Sequence, residues 1–235
     1  MQVSSEYMQY RKNCEENPIK KIVSDFPLHL NIEVTAHCNL MCQHCMRFSR
    51  RTELGDMGAE LFKKIIDEGT KYRLYSIAPE WLGESFLHPQ LIDMIKYAKS
   101  QGVIDIRINT NGTLIDKEMS ARLLDSGLDR IVFSIDAITS DTYNKIKCGS
   151  DFEEVKKNIE YFIDLKNERN AGKPQIIVQM IDQKQSHDEL MSFIYYWKGR
   201  GADKIRIATY QSPDGKPNDR NRMQNTPETI FPCPQ

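Results

Sequence analysis

Apolar positions along the chain switch repeatedly between short continuous or alternating runs and longer stretches spaced three and four apart. The first kind of pattern suits strands and the second suits helices that bury one face, so their alternation predicts βα units around a parallel sheet. Strands are expected near 28–34, 74–78, 104–109, 130–136, 175–181 and 204–208. Helices are expected over 60–71, 89–101, 117–125, from about 140, over 152–169 and over 188–200. Pro89 suits the first turn of its helix, and Asn111-Gly112 punctuates the end of the third strand.

Six such units joined by right-handed crossovers close only part of a barrel, so the fold class expected is α/β, a partial (βα)6 TIM-like barrel. Chemistry in such folds sits at the C-terminal ends of the strands. Residues 1–27 precede the first strand as an N-terminal extension, and the barrel is expected to occupy 28–210. From Gln211 the chain turns polar and rich in proline, which predicts an irregular tail or linker over 211–235.

Composition narrows the function. With 235 residues and 40% hydrophobic content a sizeable core is available. Thirty-two basic and 33 acidic residues leave a formal charge of −1, which gives no general attraction to nucleic acid or to an anionic membrane. Neither a signal-peptide core nor an apolar run of membrane-spanning length is present, so a cytoplasmic protein is expected.

Cysteine placement then changes the picture. Three of the six cysteines crowd into EVTAHCNLMCQHC, where Cys38, Cys42 and Cys45 follow a C-x3-C-x2-C spacing at the end of the first strand. The other three, Cys14, Cys148 and Cys233, are scattered, unlike a disulfide framework. Three thiolates on one loop can hold an iron-sulfur cubane and leave one iron open to a small molecule. A zinc site completed by His37 or His44 is an alternative, as are three small buried residues without metal. Arg47, Arg50 and Arg51 form a basic run beside the loop that could dock an acidic electron donor or substrate, or simply be a solvated face.

The segment CNLMCQHC after a first barrel strand resembles the cluster loop of the radical S-adenosylmethionine (SAM) superfamily. Three further segments, each at a strand end, match in the same order: WLGESFLHP, NTNGTLI and FSIDA. The resemblance covers roughly residues 28 to 210. It implies a [4Fe-4S] cluster held by Cys38, Cys42 and Cys45, with SAM at the open iron. Gly83 and Glu84 would receive the SAM ammonium, while Asn109, Asn111, Ser134, Asp136 and Gln179 would approach its ribose and carboxylate. His44 replaces a common aromatic and its ring would pack near the adenine. Lys147 stands where many relatives carry Arg, which turns a bidentate grip on the SAM carboxylate into a point-charge contact.

The family's activity is reductive cleavage of SAM to a 5′-deoxyadenosyl radical that abstracts hydrogen from a substrate, an oxidoreductase-type enzyme reaction. Its partners are a small-molecule or peptide substrate and an electron donor such as flavodoxin or ferredoxin. Cys233, in IFPCPQ, resembles the first cysteine of the twitch or SPASM extension that carries auxiliary clusters. The chain stops two residues later, so that extension is expected to be truncated. Such an extension favours oxidation or crosslinking of peptides and proteins, or dehydrogenation of sugars and aminocyclitols.

Overall fold

A computed structural model describes residues 5–42, 45–48 and 53–209, together with the backbone of 229–232. Seven strands form one sheet in chain order. They are β1 (His29–Asn31), β2 (Ser76–Ala78), β3 (Asp105–Thr110), β4 (Arg130–Ser134), β5 (Gln175–Asp182), β6 (Lys204–Thr209) and β7 (Thr229–Pro232). The first six are mutually parallel, as the βα alternation requires, and β7 runs antiparallel along β6.

The connecting helices are α2 (Ala59–Lys71), α3 (Leu91–Ser100), α4 (Lys117–Leu124), α5 (Ser140–Ile146), α6 (Phe152–Glu168) and α7 (Leu190–Arg200), preceded by α1 (Ser5–Lys20). Each crossover helix lays an apolar stripe on one face of the sheet. Phe62, Ile95, Phe162 and Trp197 meet Ile77, Ile106, Ile131, Phe133, Val178 and Ile205 there in one continuous core. Side chains alternate along a strand, so the residues between these apolar ones occupy the opposite, concave face. That face carries Arg107 and Asn109 on β3, Val132 and Ser134 on β4, Ile177 and Gln179 on β5, and Lys204 and Arg206 on β6.

Local chemistry fixes the element ends. Asp116 and Asp151 accept from the backbone N–H of Met119 and Glu154 at 2.7 and 2.9 Å, capping α4 and α6. Gly201, at φ +95°, ends α7 in the left-handed conformation. Asp129 binds Lys99 Nζ at 2.9 Å and the Ile106 N–H at 2.8 Å and also pairs with Lys173, tying the entry of β4 to α3 and β3.

The sequence pattern errs at some boundaries. The first strand is shorter than 28–34, because its neighbour β2 gives way to Pro79, which has no N–H to continue the ladder. One bond beyond the strand remains, from Ile32 N–H to the Ala78 carbonyl at 2.9 Å. Pro89 lies outside α3, whose N-cap is Gln90, and α7 begins after a 3-10 turn at His187–Glu189. The tail is not irregular throughout, since Thr229–Pro232 pairs with Lys204–Ile207. Short, isolated and preceded by a polar stretch, it has no periodicity to announce it.

Helix α1 lies at the N-terminal ends of β2, β3 and β4. Tyr10 is buried, stacks on Tyr75 with ring centroids 5.7 Å apart, and hydrogen-bonds Ser76, the first residue of β2. Beneath it, Arg130 Nε donates to Asp105 at 2.9 Å, and His29 bridges Ser76 and Asn31 at 2.9 and 3.0 Å. Among the described residues no helix is long and apolar enough to cross a membrane.

Candidate active site

Three loops at the C-terminal ends of β1, β2 and β3 are laced into one unit. The Glu84 N–H donates to the His37 carbonyl at 2.8 Å, joining the second loop to the start of the cysteine loop. Glu84 Oε1 accepts from Thr110 Oγ1 at 2.9 Å and from the Phe86 N–H at 3.3 Å, and Oε2 accepts from the Asn111 N–H at 2.8 Å. Asn111 Nδ2 in turn donates to Asn39 Oδ1, between Cys38 and Cys42, at 2.9 Å. A carboxylate has about four acceptor sites, so Glu84, only 4% exposed, keeps roughly one beyond these internal bonds. Burial pushes its pKa up, while the same donors oppose the shift.

Gly83 is required by this lacing. A Cβ at that position would stand 2.1 Å from the Thr35 carbonyl oxygen and 2.8 Å from that of His37, both backbone atoms. The Asn111-Gly112 turn is confirmed as well, with Gly112 at φ +80° and the Asn111 side chain accepting from the Thr113 N–H at 3.0 Å.

At the end of β4 a charged cluster closes the other flank. Asp136 is fully buried at φ +65°, a conformation non-glycine residues seldom take, and is held by the Ile181 N–H at 2.8 Å and by Lys147 Nζ at 2.7 Å. Lys147 also donates to Ser134 Oγ at 3.2 Å. It is thus an internal ion-pair partner of Asp136 as well as a candidate contact for a ligand carboxylate. Asp136 holds its pKa up against the opposing effect of burial. The adjacent Cys148 carbonyl accepts the Met41 N–H at 2.9 Å, so the Lys147 segment is stitched to the cysteine loop one residue before Cys42.

Cys38, Cys42 and Cys45 are free and half-buried. Burial raises the pKa of Cys38 and of Cys42; Glu84 and Cys45 add to the rise at Cys38, and Lys147 counters it at Cys42. All three thiols therefore share one electrostatic neighbourhood. Among the described residues, no three of His, Cys, Asp and Glu stand close enough to hold a single ion. A tetrahedral zinc draws all its ligands to about 2.0–2.3 Å from one point, whereas a cubane offers a separate iron to each thiolate.

Two buried acceptors complete the concave face. Among the described residues Asn109 Oδ1 and Gln179 Oε1 have no hydrogen-bond partner, and a buried acceptor left this way costs stability unless a ligand donates to it. Hydroxyl groups such as those of a ribose match that need. The residues present thus fit both a cluster on three thiolates and a nucleoside beside it. His44, Arg50, Arg51 and Cys233 lie outside the described residues.

Sequence reasoning missed Thr110, Asn39 and Glu80. Glu80 is buried, accepts from Arg107 Nη2 at 2.8 Å and also from the Asn109 N–H, and so sets the end of β3. Its signal was at most a second carboxylate four residues before Glu84. Gln183, whose buried Nε2 lacks a partner among the described residues, continues the concave phase of β5 beyond the end of the strand.

A parallel βα sheet with a three-thiol loop at its mouth, buttressed by a glycine-glutamate loop, defines a barrel protein built to hold a cluster next to a small ligand. The family model described as the radical SAM superfamily matches residues 32–200, and the chain belongs to that superfamily, whose members use a [4Fe-4S] cluster and SAM. A tungsten-containing aldehyde ferredoxin oxidoreductase cofactor-modifying protein of Pyrococcus furiosus is 32% identical over 185 residues, covering 77% of this chain and 51% of the relative. A probable GTP 3',8-cyclase of Methanococcus maripaludis is 35% identical over 135 residues, 57% of this chain and 45% of the relative. The chain thus spans about half the length of these relatives.

Solved structures share the fold. SuiB of Streptococcus suis bound to precursor peptide SuiA superposes with TM-score 0.68 at 21% identity, over 89% of this chain and 46% of that one. The protein anSMEcpe with bound AdoMet gives 0.64 at 21% identity, over 80% and 52%.

Proposed function

We propose that residues 28–210 form the catalytic core of a radical SAM enzyme in which Cys38, Cys42 and Cys45 hold the [4Fe-4S] cluster. When bound, the cluster supplies an electron that cleaves SAM to a 5′-deoxyadenosyl radical, which takes hydrogen from the substrate. Gly83 lets the second loop approach the cysteine loop, and the remaining acceptor site of Glu84 receives the SAM ammonium. Asn109 and Gln179 accept from the ribose hydroxyls, and Asn111 holds the turn that supports them. Ser134 and Asp136 orient Lys147, whose remaining N–H faces the SAM carboxylate. His44 remains the candidate to pack near the adenine.

The lacing of Glu84 to both the cysteine loop and the end of β3 carries this reading, because it joins three segments distant in sequence into one unit. The substrate is a small molecule or a peptide, and an external donor such as flavodoxin or ferredoxin supplies the electron. The relatives named for GTP cyclisation and for cofactor modification favour a small molecule. The oxidoreductase outcome, and 211–235 as the opening of an auxiliary-cluster extension, rest on the Cys233 motif.

The test is anaerobic reconstitution with iron and sulfide, reduction with SAM present, and chromatography for 5′-deoxyadenosine. Wild type is expected to produce it and Cys42→Ala to lose both cluster and product. A folded wild type that takes up no cluster and leaves SAM intact overturns the proposal.

A further inference from the structure

Among the described residues, four buried side-chain atoms of the concave face lack a hydrogen-bond partner: Arg107 Nε, Asn109 Oδ1, Gln179 Oε1 and Gln183 Nε2. The two acceptors are assigned above to the ribose of SAM. Arg107 lies low on the face, level with Arg130 at the start of β4, and already pairs with Glu80 through Nη2 at 2.8 Å. Gln183 is the donor left at the barrel mouth, directly after the last residue of β5.

Local geometry aims this side chain. Asp182 ends the strand with its Oδ1 2.8 Å from His187 Nδ1, in the 3-10 turn that leads into α7 on the helix side of the sheet. Alternation then sends the next side chain to the opposite, concave side. The Ser186 N–H donates to the Gln183 carbonyl at 3.0 Å, and Ser186 is fully buried, so the turn that carries Gln183 is closed on itself. Gln183 is only 3% exposed. A donor enclosed this far without a partner costs stability unless a ligand accepts from it.

Position and chemistry choose the ligand. Gln179 stands opposite Ser134, both assigned to SAM, and Gln183 lies four residues farther along the strand, roughly 13 Å at about 3.3 Å per residue. That carries the donor past the ribose to the level where a second molecule covers SAM. The concave positions of β5 read Ile177, Gln179, Ile181 and Gln183, apolar and neutral amide in turn, so this wall asks for an uncharged polar group. A carboxamide offers N–H and C=O side by side, which matches the edge of another amide.

We propose that Gln183 is a substrate-binding residue at the β5 side of the mouth, donating through Nε2 to the carbonyl of an amide, in a peptide bond or a lactam ring. This deepens the radical SAM reading and rests on it for the identity of the ligand beneath.

The test follows the side-chain amide signals of the protein isotope-labelled at its glutamine side-chain nitrogens, reconstituted and held with SAM but no reductant. The signal lost in Gln183→Met identifies the residue. N-acetylglycine methylamide and, separately, uracil are titrated in. At least one is expected to shift the Gln183 signal saturably, and the preferred one distinguishes peptide from lactam. Gln183→Met should weaken that probe about tenfold, read from the other signals it shifts, while its melting temperature holds or rises because an unsatisfied donor has been removed. Gln183→Leu repeats both measurements.

No saturable shift with either probe, or equal binding by wild type and the apolar variants, overturns the proposal. A lower melting temperature in both variants also overturns it, since it marks a structural role. Wild-type 5′-deoxyadenosine formation is measured in parallel. If it fails while the Gln183 signal still titrates, the reaction assignment is wrong and the amide contact stands; if it succeeds without titration, the contact alone is wrong.

Discussion

At the scale of single residues, the site is built from atoms that leave no room for change. The 2.1 Å approach of a Cβ at Gly83 to the Thr35 carbonyl forces the backbone apart, so Gly83→Ala should lower stability by roughly 1–3 kcal/mol. Iron content per chain after reconstitution should fall with it, and a Gly83→Ala protein with full iron and an unchanged urea midpoint would contradict the lacing. Lys147 and Asp136 behave as one buried pair. Lys147→Met leaves a buried carboxylate uncompensated and should cost about 3 kcal/mol or more, while adding Asp136→Asn, which tolerates the left-handed backbone, should recover much of the loss. Chemical denaturation of the single and double variants measures this directly.

The thiols add a pH dependence with a definite sign. Burial raises Cys38 and Cys42 above the ordinary thiol value, so in cluster-free protein the neutral thiols favour the fold below about pH 8.5, and that contribution is lost as pH rises through the raised values. Urea midpoints of the cluster-free chain should therefore fall from pH 8 to pH 10, and Cys42→Ala should flatten the slope. Because the cluster takes thiolates, its uptake should release protons, measurable in weakly buffered solution.

Elements show where the amino-acid pattern speaks and where it is silent. All six parallel strands and their helices follow from apolar periodicity, since each buries a face against the same core. Glu84, Asn111 and Asp136 were legible as residue types at strand ends, but their bonds to Thr110, Asn39 and Ile181 were not, because those partners come from other loops and leave no spacing in the sequence. Helix α1 escaped notice for a different reason: its surface is largely polar and Tyr10 is the buried residue recorded within it. Tyr10→Ala should cost about 3 kcal/mol by emptying that contact, read as a lower urea midpoint, with far-UV circular dichroism otherwise preserved.

For the molecule as a whole, the decisive feature is that its two ends are unlike. The starts of β1 to β4 are covered by Tyr10 and by the bonded set of His29, Ser76, Asp105 and Arg130, whereas the strand finishes carry the thiols and two acceptors without a partner among the described residues. Along β1 to β4 a ligand therefore meets the thiols from the side of the strand finishes. On the radical SAM reading proposed above, the ligand nearest the cysteines lies deepest from that side, so an ordered addition with SAM first is the expected outcome, checked by whether substrate inhibition of 5′-deoxyadenosine formation is uncompetitive against SAM.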